Sequence, residues 1–250
     1  MTTSPLLTGG AGFDFEDSVA AVYLTALLLE SGVLGLGQFT ASRVALQRAS
    51  SGAPLDDVIV TGLNTGDESA TLHLQVKSTL HIGDGPSNTD FRDVLSKAWS
   101  TVQDTSFKTG RDRVGAALGA ISQTRLRALR RLQEVAFNSA TAEDFWDRFD
   151  RVTNQETQSM RDAFVTVLKQ IDPAGIDNQR LWRFFQYFTV QHFGMHESDG
   201  KDLFHAVEQL KLALKPSAAE QAGDLWRKLI DVANVGDAGG SADRGAFFSF

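Results

Sequence analysis

The chain has 250 residues, 42% of them hydrophobic, and carries 24 Lys and Arg against 31 Asp and Glu, a formal charge of −7. That length and apolar content suffice for a real core in one large domain or two small ones, and the acidic balance excludes a wholly basic nucleic-acid binder while leaving room for a local basic face. There is no cysteine, which excludes disulfides and thiolate metal sites and fits a reducing compartment, here read as the cytoplasm.

The N-terminal MTTSPLLTGGAG lacks the basic-then-apolar layout of a signal peptide. Residues 13–31 predict the clearest helix. Phe15, Val19, Val22, Ala26 and Leu29 recur at helical spacing, and Gly32 ends the run. Its apolar stretch, residues 19–29, contains Thr25 and stops at Glu30, too short to cross a bilayer, so no membrane partner is expected. Residues 39–48 alternate and predict a strand, and residues 57–61 predict a second after Pro54. Asn64-Thr65-Gly66 reads as a hairpin turn into a third strand over 71–78. A polar loop at 83–89 leads to a helix over 90–107. A small-residue strand over 114–121 and an amphipathic helix over 125–137 follow.

The order α-β-β-β-α-β-α predicts an α/β fold with a mixed sheet flanked by helices. Near residue 140 the texture changes. Residues 142–151, 156–171, 203–214 and 218–235 read as helices, while 181–193 is aromatic-rich and open between helix and strand. The reading is a core over 1–140 followed by a mostly helical accessory or oligomerisation region over 141–250. The last residues, GGSADRGAFFSF, read as the start of another helix with Ser241 as its N-cap. That suggests a piece of a longer protein. No internal repeat or low-complexity tract is present.

Chemistry concentrates in PLDDVIVTGLNTGDESATLHLQVKS. Alternate side chains of a strand share a face, so Gln75 and Lys77 point one way and Leu74 and Val76 the other. If the two strands pair through the Asn64–Gly66 turn, Asp57 lies opposite Gln75 and Lys77. Magnesium takes oxygen ligands and keeps several waters. Asp57, the Gln75 side chain and the Val76 carbonyl then form a candidate site for Mg²⁺ or Mn²⁺. Lys77 is placed to orient or deprotonate a water, and Glu16 is a further ligand if its helix packs on the sheet. The plainer reading makes the aspartates turn residues and Lys77 a solvated guard at a strand edge.

A helix-borne Glu, an Asp at a strand start and Gln-x-Lys on the next strand resemble the PD-(D/E)xK, or restriction-endonuclease-like, superfamily in its Mrr-type form. The blocks GFDFEDSVAAVYLTALL, PLDDVIV, LQVKSTL and DFRDVLSKAW are similar to the double-stranded-DNA nuclease domain that heads several bacterial antiphage effectors. There it is fused to nucleotide-sensing modules or STAND-type NTPases, or works beside a hexameric ATPase. The resemblance covers residues 9–137. It implies a metal-dependent endonuclease of low sequence specificity, with double-stranded DNA as partner and activation by homo-oligomerisation or by an ATPase or sensor module. The catalytic set it implies is Glu16, Asp57, Gln75 and Lys77. Asp56 or Asp57 is the main metal ligand, the family pattern favouring Asp57. Gln75 stands where most of the superfamily carries an acid.

Arg111, Arg113, Arg125, Arg127, Arg130 and Arg131, with Lys108, form the densest basic stretch, suited to phosphate contacts, with Arg125, Arg127, Arg130 and Arg131 the candidate DNA contacts. The alternative is a solvated helix face paired with Glu134 and the acidic run Glu143, Asp144, Asp147 and Asp150. His192 and His196 stand four apart, but Phe193 replaces the glutamate of a zinc-protease motif. Gly9, Gly10 and Gly12 read as a flexible lead-in, and no P-loop occurs. Trp182, Phe184, Phe185, Tyr187 and Phe188 read as core or interface. The alternative function is a non-catalytic assembly or interaction module of a larger defence or signalling protein.

Overall fold

A computed structural model describes residues 15–46, 54–55, 57–194, 200–236 and 241–243. Asp56, Gly9, Gly10, Gly12 and His196 lie outside the described residues, so the readings made on them have no structural counterpart here.

A six-stranded mixed sheet organises the chain. It comprises β1 (Thr40–Leu46), β2 (Val58–Leu63), β3 (Ser69–Thr79), β4 (Arg113–Ala120), β5 (Phe188–His192) and β6 (Ser241–Asp243), in the order β5-β4-β3-β2-β1-β6. β1, β2 and β3 are antiparallel neighbours; β4 and β5 join in parallel, and β6 pairs antiparallel with β1. The β2–β3 turn is held by Asn64, whose Oδ1 accepts from the backbone N–H groups of Gly66 and Glu68 at 2.9 and 3.0 Å. This is the local asparagine turn that the Asn-Thr-Gly sequence calls for.

Two layers of helix cover the sheet. On one face lies α1 (Phe15–Leu28), with α7 (Lys201–Ala213) and α8 (Ala222–Gly236) packed beside it. α1 is apolar almost all round, as a helix buried between a sheet and other helices must be. Val19, Leu24 and Leu27 share a core with Val58, Val60, Leu72, Leu74 and Val76 of the sheet and with Trp226 and Leu229 of α8. The other face carries α2 (Thr89–Gln103), α3 (Gln123–Phe137), α4 (Ala142–Val152), α5 (Gln155–Ile171) and α6 (Asn178–Tyr187). α2 presents Phe91, Val94, Leu95 and Ala98 to this core, the i, i+3, i+4, i+7 stripe of an amphipathic helix.

The ambiguous aromatic stretch resolves into both alternatives: α6 through Tyr187, then β5 from Phe188. Phe184, Phe185 and Phe188 are buried and pack edge-on or stacked with one another and with Phe164. β5 lies close to β4 because Gly115 has no side chain; a Cβ there would stand 1.8 Å from the Thr189 carbonyl oxygen. The expected helix start at Ser241 is corrected. Residues 241–243 pair with Arg43, Val44 and Ala45 as an edge strand, because the open edge of β1 offers backbone partners that three residues cannot supply as a helix. The change of texture near residue 140 marks a rise in helix content within a continuing sheet, since β5 and β6 both come from beyond it.

Candidate functional site

The ladder sets the geometry. Val58 pairs with Leu74, so Asp57, just before β2, stands opposite Gln75. Val58 and Val76 face α1, which turns Gln75 toward α2. One Asp57 carboxylate oxygen accepts a hydrogen bond from the Gln75 side-chain amide and another from the Val76 backbone N–H at 2.7 Å. The Gln75 oxygen accepts from Lys97 Nζ at 3.1 Å, and Lys97 pairs with Asp93 at 3.2 Å along α2. The result is a continuous polar chain, Asp93–Lys97–Gln75–Asp57–Val76, running from α2 through β3 to the entry of β2. Gln75 is 4% exposed, so its amide depends on these partners rather than on water.

Lys77 shares the face of Gln75 but is half-exposed and makes no hydrogen bond or ion pair among the described residues. Glu16 is half-buried in the first turn of α1. The preceding Phe15 ring abuts Gly119 beside Ser78, which places this turn at the end of the sheet where β3 closes. α1 nevertheless covers the face opposite Gln75. The structure thus brings Asp57, Gln75 and the Val76 backbone together and leaves Lys77 unbonded on the same face among the described residues, while Glu16 belongs to a helix that covers the opposite face.

The residue that sequence reasoning missed is Lys97. Its signal was present in the i, i+4 pair Asp93/Lys97 of a helix whose apolar stripe is easily read, but only the packing of α2 on β3 aims it at Gln75.

The expected Mg²⁺ or Mn²⁺ requires converging oxygen atoms. Gln75 instead turns its nitrogen to Asp57 and its oxygen to Lys97. Among the described residues no group of three or more acidic, His or Cys side chains gathers to hold a metal. A cation at Asp57 would need the Gln75 amide to rotate by half a turn, which would set its NH₂ against the Lys97 ammonium. The donor set as arranged does not fit the metal.

Two residues before Gln75, His73 has a buried Nδ1 without a hydrogen-bond partner among the described residues. Burial pushes its imidazole below the ordinary value, against the opposing pull of the Asp112 carboxylate. Asp112 itself accepts from the backbone N–H groups of Thr71 and Lys108, both at 2.8 Å.

Of the basic stretch, Arg125, Arg127, Arg130 and Arg131 lie on α3, while Lys108, Arg111 and Arg113 precede it. Arg131 pairs with Glu134 at 3.0 Å and Arg125 with Glu156 at 4.0 Å, while Arg127 donates to the Gln123 carbonyl of its own helix at 3.2 Å. Arg130 has no such partner among the described residues. The acidic run pairs elsewhere: Asp144 with Arg148 and Asp150 with Arg161.

No family model matches the chain, and no curated protein does. Solved structures do. One is the Acinetobacter baumannii Cap4 SAVED/CARF-domain containing receptor with the cyclic trinucleotide 3'3'3'-cAAA, at 13% identity and TM-score 0.50, covering 94% of this chain and 45% of that one. The same receptor with 2'3'3'-cAAA matches at 13% identity and TM-score 0.51, over 94% and 42% of the two chains. The chain shares its fold with part of these receptors. A third match, the same receptor described without a cyclic trinucleotide, has 13% identity, TM-score 0.50 and coverage of 94% and 44%. The chain spans less than half the length of the structures it matches.

These matches correct the reading made from the motif blocks. The proteins that share the fold are described as SAVED/CARF-domain receptors, two of them with a cyclic trinucleotide, rather than as PD-(D/E)xK nucleases. The expected endonuclease activity and the expected double-stranded DNA partner are withdrawn with that resemblance. The physical reason for the error is that an Asp at a strand start and a Gln on the neighbouring strand also serve to clasp a strand pair to a helix, here through Lys97. No helix among the described residues is long and apolar enough to cross a membrane.

Proposed function

We propose that this chain is a non-catalytic interaction module of a longer defence or signalling protein of the receptor kind, one that answers to a cyclic oligonucleotide. The observation that carries the non-catalytic reading is the bonding of the Asp57 cluster. The carboxylate, the amide and the Lys97 ammonium are engaged with one another, so the chain of residues works as a clasp between β2, β3 and α2. Buried polar networks in which every member has a partner rigidify a fold and specify one arrangement of its parts. The receptor part of the reading is supported by the shared fold.

The test has two arms. The 3'3'3'-cAAA trinucleotide is titrated calorimetrically into this chain and into the longer protein from the same gene. Binding to either supports the receptor reading, and the arm that binds tells which part senses. Binding to neither overturns it. The second arm incubates the chain and the longer protein with plasmid DNA and Mg²⁺, with and without trinucleotide. The expected result is intact plasmid; cleavage that Lys77→Ala abolishes would refute the non-catalytic reading.

A further inference from the structure

At the end of the sheet away from Lys77, an open groove of about 440 Å³ lies between the loop that leads from α1 into β1, the start of β4 and the last turns of α3. Its floor and walls include Gly37, Gly110, Arg113, Arg130 and Phe137. Gly37 and Gly110 both have left-handed backbone, with φ of 64° and 87°, and a Cβ at either would meet nothing within 4 Å. Backbone there is open to close approach by a ligand.

The groove is cationic and its cations are unevenly paired. Half-buried Arg113 donates to the carbonyls of Arg111 and Asp112 at 3.2 and 2.8 Å. Among the described residues it has no carboxylate at ion-pair distance, because the Asp112 carboxylate is turned to the N–H groups of Thr71 and Lys108. Burial lowers the Arg113 pKa, the sign expected of a charge short of solvation. Arg130 is exposed and unpaired among the described residues. Glu134 also lines the groove, but it is bonded to Arg131 at 3.0 Å. Beside these cations the Phe137 ring is 48% exposed, with the Arg113 guanidinium 5.3 Å from its centroid.

We propose that this groove binds a mononucleotide, with the Arg113 and Arg130 guanidiniums on the phosphate and the exposed Phe137 ring against the base. Planar guanidinium forks suit phosphate oxygens. An exposed aromatic ring beside them gives a base a surface to stack on without reading its identity. A volume of about 440 Å³ lies in the range of small-molecule sites. An acidic peptide would use the arginines but leave the ring unexplained. The site is independent of the receptor reading above, and its test uses a different probe and different residues.

The experiment titrates AMP, ribose 5-phosphate and inorganic phosphate into the full chain at low salt by calorimetry. AMP binds more tightly than ribose 5-phosphate, and raising the salt weakens both. Arg130→Ala, an exposed site whose loss leaves the fold intact, lowers AMP affinity by about tenfold or more, the worth of one hydrogen bond to a charged group. Phe137→Ala removes the preference for AMP over ribose 5-phosphate. The proposal is overturned if millimolar AMP does not bind, if ribose 5-phosphate binds as well as AMP, or if Arg130→Ala leaves AMP affinity unchanged.

Discussion

Replacing Asp57 by Ala separates a structural clasp from a chemical site. The substitution removes the acceptor for two donors at once, the Gln75 amide and the Val76 N–H. Gln75 is 4% exposed, so its freed amide finds little water. A buried donor left without a partner costs about 1–3 kcal/mol. Two such donors give about 2–6 kcal/mol, held to about 2–4 kcal/mol because Asp57 itself is half-exposed and water can enter where it stood. For a chain of 250 residues, each kcal/mol corresponds to about 2–4 °C in Tm, so the expected fall is about 4–16 °C. Lys77→Ala is the control. Lys77 has no partner among the described residues, and its removal should change stability by no more than about 0.5 kcal/mol. Urea unfolding followed by tryptophan fluorescence and by circular dichroism measures both. If Asp57→Ala is as mild as Lys77→Ala, the cluster does not hold β2 to β3 and the clasp is wrong.

Gly115→Ala should cost about 3 kcal/mol or more, because its Cβ would stand 1.8 Å from the Thr189 carbonyl and β5 must move off β4; wild-type stability in the same urea titration would contradict that packing. Burial depresses the His73 pKa in the fold, so the unfolded chain binds the proton more readily. The contribution is present above the unfolded value of about 6.5 and is lost as pH falls through the lower folded value. Wild type should therefore lose Tm between pH 7.5 and 5.5 more steeply than His73→Gln, and identical slopes would reject the assignment. Millimolar Mg²⁺ should leave Tm within about 1 °C, since the Gln75 oxygen is engaged by Lys97 and hard cations need converging oxygens; a rise abolished by Asp57→Asn would restore a metal site there.

Periodicity alone determined most of the elements. The apolar stripe of α1, the alternation of β1 and β3, the Asn64 turn and the stripe of α2 are local patterns, and the structure keeps each within a few residues. The strand period also placed Gln75 and Lys77 on one face and set Asp57 opposite them, because side-chain direction in a strand follows parity and hairpin register follows the turn. What the side chains there are engaged with was not legible. Gln75 bonds to Lys97 only because α2 packs across β3, and two residues 22 positions apart carry no joint signal in a single sequence. The same holds for the tail of the sheet. Residues 188–192 and 241–243 are too short to declare themselves as strands, and they take that form because the edges of β4 and β1 offer unpaired backbone. The arginine groove is the clearest case. Gly37, Arg113 and Arg130 come from three separate segments and meet only at the end of the folded sheet, since the chain brings distant residues together through packing, which no local pattern encodes.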